Sequence, residues 1–215
     1  MALEAKICGL STAETVDLAV AEGAALVGFN FFPRSPRYVS IAAAAALAHR
    51  VRPGVRRVAV LVDPSDDFLA ELVARVPLEL LQLHGQETPK RVAEVTEKTG
   101  LPVMKVISVA DAADLDAVTA YEPVVERLML DAKPPATMKN ALPGGNALAF
   151  DWKLLAGHRF RRPWMLAGGL TPENLKEATS ISGARRVDVS SGVESAPGRK
   201  DPDKIRAFLK TAREL

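Results

Sequence analysis

Apolar and polar positions follow two rhythms along this chain. Short apolar, β-branched runs recur at Leu3–Cys8, Ala25–Phe31, Arg57–Val62, Leu78–His84, Val103–Val109, Arg127–Leu130, Trp164–Ala167 and Arg186–Val189. Each reads as a buried strand. Between most of them lie longer segments with apolar residues at helical spacing: Thr12–Glu22, Ile41–Val51, Asp66–Arg75, Pro89–Thr99, Leu115–Tyr121, Pro172–Ser182 and Pro202–Arg213. Ser11 or Thr12, Ser65, Thr171-Pro172 and Asp201-Pro202 mark helix starts, and Gly23 and Gly100 mark ends.

Strand–helix alternation implies parallel strands joined by right-handed crossovers. The eight strand starts, at 3, 25, 57, 78, 103, 127, 164 and 186, are spaced at close to one strand–helix unit each. Such a count predicts an α/β fold, a single (β/α)8 TIM barrel of eight parallel strands over residues 1–215. The rival is an open doubly wound sheet, which normally carries a glycine-rich fingerprint after its first strand. Here that segment reads Cys8-Gly9-Leu10-Ser11-Thr12, with no such fingerprint. One interval breaks the rhythm: Lys133–Asn146, rich in Pro and Gly, predicts a long surface loop between the sixth and seventh strands.

Composition narrows the class further. The chain has 215 residues, 48% hydrophobic and 25% charged, with a net charge of +2. So balanced a charge does not suggest nucleic acid or an anionic membrane as partner. One cysteine argues against a disulfide-stapled secreted protein. Neither a signal-peptide pattern nor an apolar stretch of bilayer-spanning length stands out, so the cytoplasm is the expected compartment.

In a parallel barrel, chemistry gathers at the C-terminal strand ends. Those ends here carry Cys8, Asn30, Asp63, His84, Asp131, Gly168-Gly169 and Asp188–Gly192. Taken singly, each has a plain structural explanation. Free cysteine is among the most buried residue types, and Asp63 before Pro64 reads better as a helix-start residue than as a catalyst. The Trp152 and Trp164 rings read as core. Gathered at one end, the set points to a site. Gly168-Gly169 offers bare backbone N–H groups, and Ser190-Ser191-Gly192 adds hydroxyls and a possible short helix start; together they suggest a phosphate grip. Two prolines stiffen Pro33-Arg34-Ser35-Pro36-Arg37, so Arg37 suits a carboxylate, while Arg34 reads as solvated. Arg37 and His84 are expected to bind substrate. Of the three histidines only His84 lies at a strand end, so no metal is expected.

These segments together resemble the phosphoribosylanthranilate isomerase family. The resemblance rests on Lys6–Leu10, Gly28–Val39, Val62–Pro64, Gln82–Gly85, Leu130-Asp131, Phe150–Trp152, Ala167–Asn174, Val187–Glu194 and Pro197–Asp201, in the expected order over nearly the whole chain. It implies an Amadori rearrangement of N-(5-phosphoribosyl)anthranilate to 1-(2-carboxyphenylamino)-1-deoxyribulose 5-phosphate, a step of tryptophan biosynthesis. The expected partner is that phosphorylated small molecule, with no cofactor, and the chain is a monomer or homodimer. The resemblance makes Cys8 the base and Asp131 the acid. It sets Arg37 on the anthranilate carboxylate and the Gly168-Gly169 and Ser190–Gly192 loops on the phosphate. A free thiol titrates near about 8.5 and a free aspartate near about 3.9, so both would move toward neutrality. Lys6 shares a strand face with Cys8 by the period-two rule and would favour the thiolate, with burial opposing it. Alternatively Lys6 pairs with Asp188 and does little for Cys8. One departure stands out: Ala147 occupies a loop position where glycine is expected, at a cost in stability or with a changed loop path. Two other readings are a different phosphate-binding barrel enzyme and a silent phosphosugar-binding barrel. The second would have lost its acid or base, and both are present.

Overall fold

The computed structural model describes residues 2–135, 137–138 and 142–215. Eight parallel strands close into a barrel in sequence order. They are β1 (Glu4–Cys8), β2 (Leu26–Asn30), β3 (Arg56–Leu61), β4 (Leu80–Leu83), β5 (Val103–Val109), β6 (Arg127–Ala132), β7 (Trp164–Leu166) and β8 (Arg186–Val189). Closure runs through β1 and β8, where Lys6 sits directly opposite Asp188. The outer layer holds α1 (Ala13–Ala21), α2 (Ile41–Ala48), α3 (Asp66–Arg75), α4 (Pro89–Thr99), the short α5 (Val118–Tyr121), α6 (Leu175–Ser182) and α7 (Pro202–Glu214). A small hairpin, β9 (Glu194–Ala196) with β10 (Arg199–Lys200), precedes α7. No described helix is long and apolar enough to cross a membrane.

The helix boundaries follow from their caps. Thr12, Ser65 and Asp201 each accept a backbone N–H of the first turn, as expected from their side chains. Gly100 ends α4 in the left-handed conformation. Two expectations need correction. Thr171-Pro172 does not open α6: Thr171 and Asn174 bond each other's backbone in a turn, and the helix starts three residues later than Pro172, at Leu175. Leu115–Tyr121 is not one helix: a 3-10 stretch, Ala112–Ala117, capped by Asp111, leads into the single turn of α5. Between β6 and β7 the described residues hold no α-helix, in keeping with the loop expected there. A single 3-10 turn, Trp152–Leu155, capped by Asp151, takes that place and buries Leu155 against the core. The predicted loop Lys133–Asn146 is described except at residues 136 and 139–141, which lie outside the described residues.

Strand alternation produces two cores. Outward residues such as Ile7, Val27, Phe29 and Leu81 pack under the helices. Trp152 and Trp164 are partly buried against this layer. Inward residues Leu26, Val58, Leu80, Met104, Val106, Met129, Met165 and Ala167 fill the barrel itself. That plug separates two polar ends. At the N-terminal end, Glu4 binds Arg127 at 2.6 Å and Arg186 at 3.1 Å, Glu126 binds Arg127 and Arg56, and Glu79 binds Arg57.

Candidate active site

Above the plug, period-two alternation keeps the same faces turned inward and changes what they carry. Cys8 from β1, Gln82 and His84 from the end of β4, Asp131 from β6 and Asp188 from β8 line one hollow at the C-terminal mouth, together with Arg37 from the loop after β2. A second hollow adjoins it and shares Asp131, Gly145, Asp188 and Ser190. Gly168, Gly169 and Ser191 line this second hollow.

Cys8 is buried beside fully buried Lys6, whose ammonium meets Asp188 at 2.7 Å. Both alternatives for Lys6 are therefore realised in part. It pairs with Asp188 and still pulls on the thiol. Burial decides the outcome, however, pushing the Cys8 thiol above its ordinary value against the pull of Lys6 and Lys200. Burial pulls hardest on Lys6 too, but Asp188, joined by Cys8 when that is ionised, outweighs it and holds the ammonium above its usual range. The thiol at rest is thus protonated, contrary to a thiolate set by Lys6.

Asp131 is 7% exposed. Its Oδ1 accepts the N–H of Ala132 at 2.8 Å, and its Oδ2 lies 3.3 Å from Nε2 of His84. That second approach makes no hydrogen bond, so among the described residues His84 Nε2 has no hydrogen-bond partner. Gln82 sets its amide nitrogen 3.5 Å from His84 Nδ1, and its Oε1 is likewise unpartnered among them. Buried polar atoms seldom stay unsatisfied, so the two orphans mark a place where a ligand's polar groups belong. Gly144, in the described part of the loop after β6, passes directly over His84 and Asp131.

Backbone conformation shapes the second hollow. Gly168 and Gly169 adopt φ of +86° and +64°; a Cβ on Gly168 would press into Ala132 at the end of β6, and one on Gly169 into Leu148 and Ala149 of the loop opposite. Among the described residues their N–H groups have no protein acceptor. A 3-10 turn, Ser191–Val193, follows β8. Gly192 lines neither hollow: a Cβ there would strike the Leu170 carbonyl, so it serves the close approach of the two loops. Ser190 ties β8 to β1 by donating its hydroxyl to the Cys8 carbonyl at 3.2 Å. Ala147 lines this hollow at φ +57°. The loop keeps the left-handed path and the alanine carries the strain.

Arg37 is buried and Arg34 exposed. The Arg37 guanidinium already grips a carboxylate, that of Glu194. Asp63, also at positive φ, does not cap α3; it accepts the N–H of Gln86, tying loop to loop while Ser65 caps the helix. Two buried lysines near the mouth have no counterpart among the site residues expected from the sequence. Lys200 binds Glu194 and the Ser190 carbonyl, both at 2.8 Å. Lys105 binds Glu87 at 2.8 Å and the Gly85 carbonyl at 2.7 Å. A lysine inside an apolar strand, as at Lys6 and Lys105, is the signal that was available for such pairs.

Comparison with known proteins shows which family the chain and its fold resemble. The family model described as N-(5′-phosphoribosyl)anthranilate (PRA) isomerase matches residues 5–211. An N-(5′-phosphoribosyl)anthranilate isomerase of Paracoccus denitrificans is 57% identical over 213 residues, covering 99% of this chain and 98% of that protein. The crystal structure of phosphoribosyl anthranilate isomerase from Thermotoga maritima superposes with a TM-score of 0.88 at 35% identity, over 99% of this chain and 100% of that one. A phosphoribosyl anthranilate isomerase in complex with reduced 1-(o-carboxyphenylamino)-1-deoxyribulose 5-phosphate gives 0.85 at 34% identity, with the same coverage.

Proposed function

The chain belongs to the N-(5′-phosphoribosyl)anthranilate isomerase family, and from that premise we propose how its barrel mouth performs the rearrangement. The substrate's phosphate occupies the hollow at Gly168, Gly169, Ser190 and Ser191, held by backbone N–H groups and hydroxyls. Gly192 keeps those two loops close. The ribose and anthranilate fill the adjoining hollow, where Arg37 meets the carboxylate and His84 with Gln82 meets sugar oxygens.

Asp131 gives a proton to the ribose ring oxygen, and the C1–O bond breaks as nitrogen's lone pair forms the Schiff base. Cys8 then removes the proton on C2. The electron pair moves into a C1–C2 double bond and neutralises the iminium. The resulting enolamine tautomerises to the ketone, so the atoms rearrange without net gain or loss and without a cofactor. A thiol with a raised pKa yields a strongly basic thiolate, and Lys6 and Lys200 keep that thiolate within reach. We place the reaction in the cytoplasm, as the single cysteine suits a reducing compartment.

The observation that carries this reading is that Cys8 and Asp131 line one buried hollow which continues into the glycine-lined one. The test is the fluorescence of purified protein mixed with phosphoribosylanthranilate. Its anthranilate-type signal should fall with the wild type and persist with Cys8→Ser and Asp131→Asn. Full turnover in either variant overturns the assignment.

A further inference from the structure

Arg37 does not offer its whole guanidinium to the mouth. Its Nε donates to Glu194 Oε1 at 2.7 Å and its Nη2 to Oε2 at 2.8 Å, a fork held edge to edge. Nη2 also donates to the Gly145 carbonyl at 3.3 Å. Among the described residues Nη1 donates to no protein acceptor, and it is the edge left for the hollow that Arg37 lines. Glu194 is held in turn: Lys200 donates to Oε1 at 2.8 Å and Gly198 N–H to Oε2 at 3.2 Å. Lys200 also reaches the Ser190 carbonyl in the loop beside the phosphate hollow. The three side chains are at most 5% exposed. A buried row of cation, anion and cation thus runs from one hollow to the other.

We propose that Glu194 is a positioning residue that makes Arg37 a selective reader of the substrate's carboxylate, by fixing which edge of the guanidinium faces the hollow, with Lys200 fixing Glu194. This rests on the reading of Arg37 as the carboxylate's partner. Charge alone gives the opposite expectation. The substrate carries a phosphate and a carboxylate, so removing a neighbouring negative charge would tighten its binding by simple Coulomb attraction. Removing a positioning group would weaken it, because a freed guanidinium must be reordered at each binding event. The sign of the change separates the two roles.

The experiment is steady-state kinetics on Glu194→Ala, Arg37→Ala and the double variant, with phosphoribosylanthranilate and with its carboxylate-free analogue, N-(5-phosphoribosyl)aniline. Glu194→Ala should raise KM for the carboxylated substrate roughly ten- to hundredfold, the worth of one charge-assisted contact, with kcat within about threefold of wild type. For the aniline analogue the change in KM should vanish. Once Arg37 is gone, removing Glu194 should add nothing. If Arg37→Ala leaves KM unchanged, the carboxylate reading itself fails. If Arg37→Ala raises KM but the Glu194 effect adds to it in full, or if Glu194→Ala lowers KM, Glu194 does not act through Arg37 and the proposal fails. Glu194→Gln keeps the shape and one acceptor oxygen. It should fall between wild type and alanine, and it carries the same test should the alanine variant not fold.

Discussion

The two ends of the barrel use the same eight strands, yet they treat charge in opposite ways. At the N-terminal end Arg56, Arg57, Arg127 and Arg186 alternate with Glu4, Glu79 and Glu126, every side chain is partly open to solvent, and every one has a partner of opposite sign. Arg56 beside Glu126 holds that carboxyl below its usual range and raises its own pKa. At the C-terminal end the polar groups are nearly closed to solvent and some are left incomplete: among the described residues Gln82 Oε1 and His84 Nε2 have no hydrogen-bond partner, and the Cys8 thiol is pushed up by burial. Matched pairs in water cost little and contribute little. Incomplete groups in a closed mouth are unfavourable until a ligand completes them. One end is built for closure of the barrel, the other for chemistry.

The largest effect should come from changing the incomplete end. Asp131→Asn and Cys8→Ser should each cut kcat by about a thousandfold, the usual worth of a positioned acid or base, while the thermal midpoint stays within a few degrees of wild type. A large loss of stability in both would turn the comparison around, making these residues structural. The pH profile sharpens the same point. The proposed base is the Cys8 thiolate, and the thiol's pKa lies above the ordinary value, so kcat/KM should climb with pH through neutrality and into the alkaline range. A profile flat from neutral pH upward would mean that Cys8 is already ionised or is not the base.

Lys6 and Asp188 form a pair like those of the lower ring, moved up into the closed mouth. There the dielectric is low, and removing one partner strands the other. Lys6→Met should therefore cost about 3–5 kcal/mol in urea unfolding, and the double change Lys6→Met with Asp188→Asn should recover much of it. At the open end the same operation should barely register. Arg127→Ala or Glu126→Gln should each lose less than about 1 kcal/mol and leave kcat unchanged. The Glu126 carboxyl is depressed in the folded protein, so its small contribution is present above the ordinary carboxylate pKa and is lost as pH falls through the folded value. If Arg127→Ala proved as costly as Lys6→Met, exposure would not be what separates the ends.

How much of this could be read from the chain depended on how local the cause was. Strand spacing and the caps Thr12, Ser65 and Asp201 are local, and they appear as expected. Period-two alternation on β1 was enough to set Lys6 and Cys8 on one face. The pairing of Arg37 with Glu194 spans 157 residues and that of Lys6 with Asp188 spans 182, distances across which no pattern signals a partner. The Asp188 pair was foreseeable as one option because β1 and β8 must meet to close a barrel. The Glu194 pair depends on a hairpin of three and two residues, too short to leave a periodic trace. The missing sixth helix had a visible cause, the Pro- and Gly-rich interval after Asp131. What replaced it, a 3-10 turn capped by Asp151, is too short to show helical spacing.

Ala147 tests the comparison at its finest grain, because it is a strained residue at the chemical end. An alanine at φ +57° carries roughly 1–2 kcal/mol that glycine would not. Glycine in turn loses more conformational freedom on folding, roughly 0.5–1 kcal/mol. The difference favours glycine by about 0.5 kcal/mol, so Ala147→Gly should raise the urea midpoint slightly rather than lower it. The residue lines the hollow assigned to the phosphate, and relief of strain there leaves the backbone N–H groups of the loop in place only if the left-handed path is set by its neighbours. Asn146 supplies such a constraint, bonding both the N–H and the carbonyl of Leu142. KM for the phosphorylated substrate should therefore stay within about twofold. A rise in stability coupled to a clear rise in KM would show instead that the alanine itself stiffens the loop, and that strain at this end is retained for binding rather than tolerated.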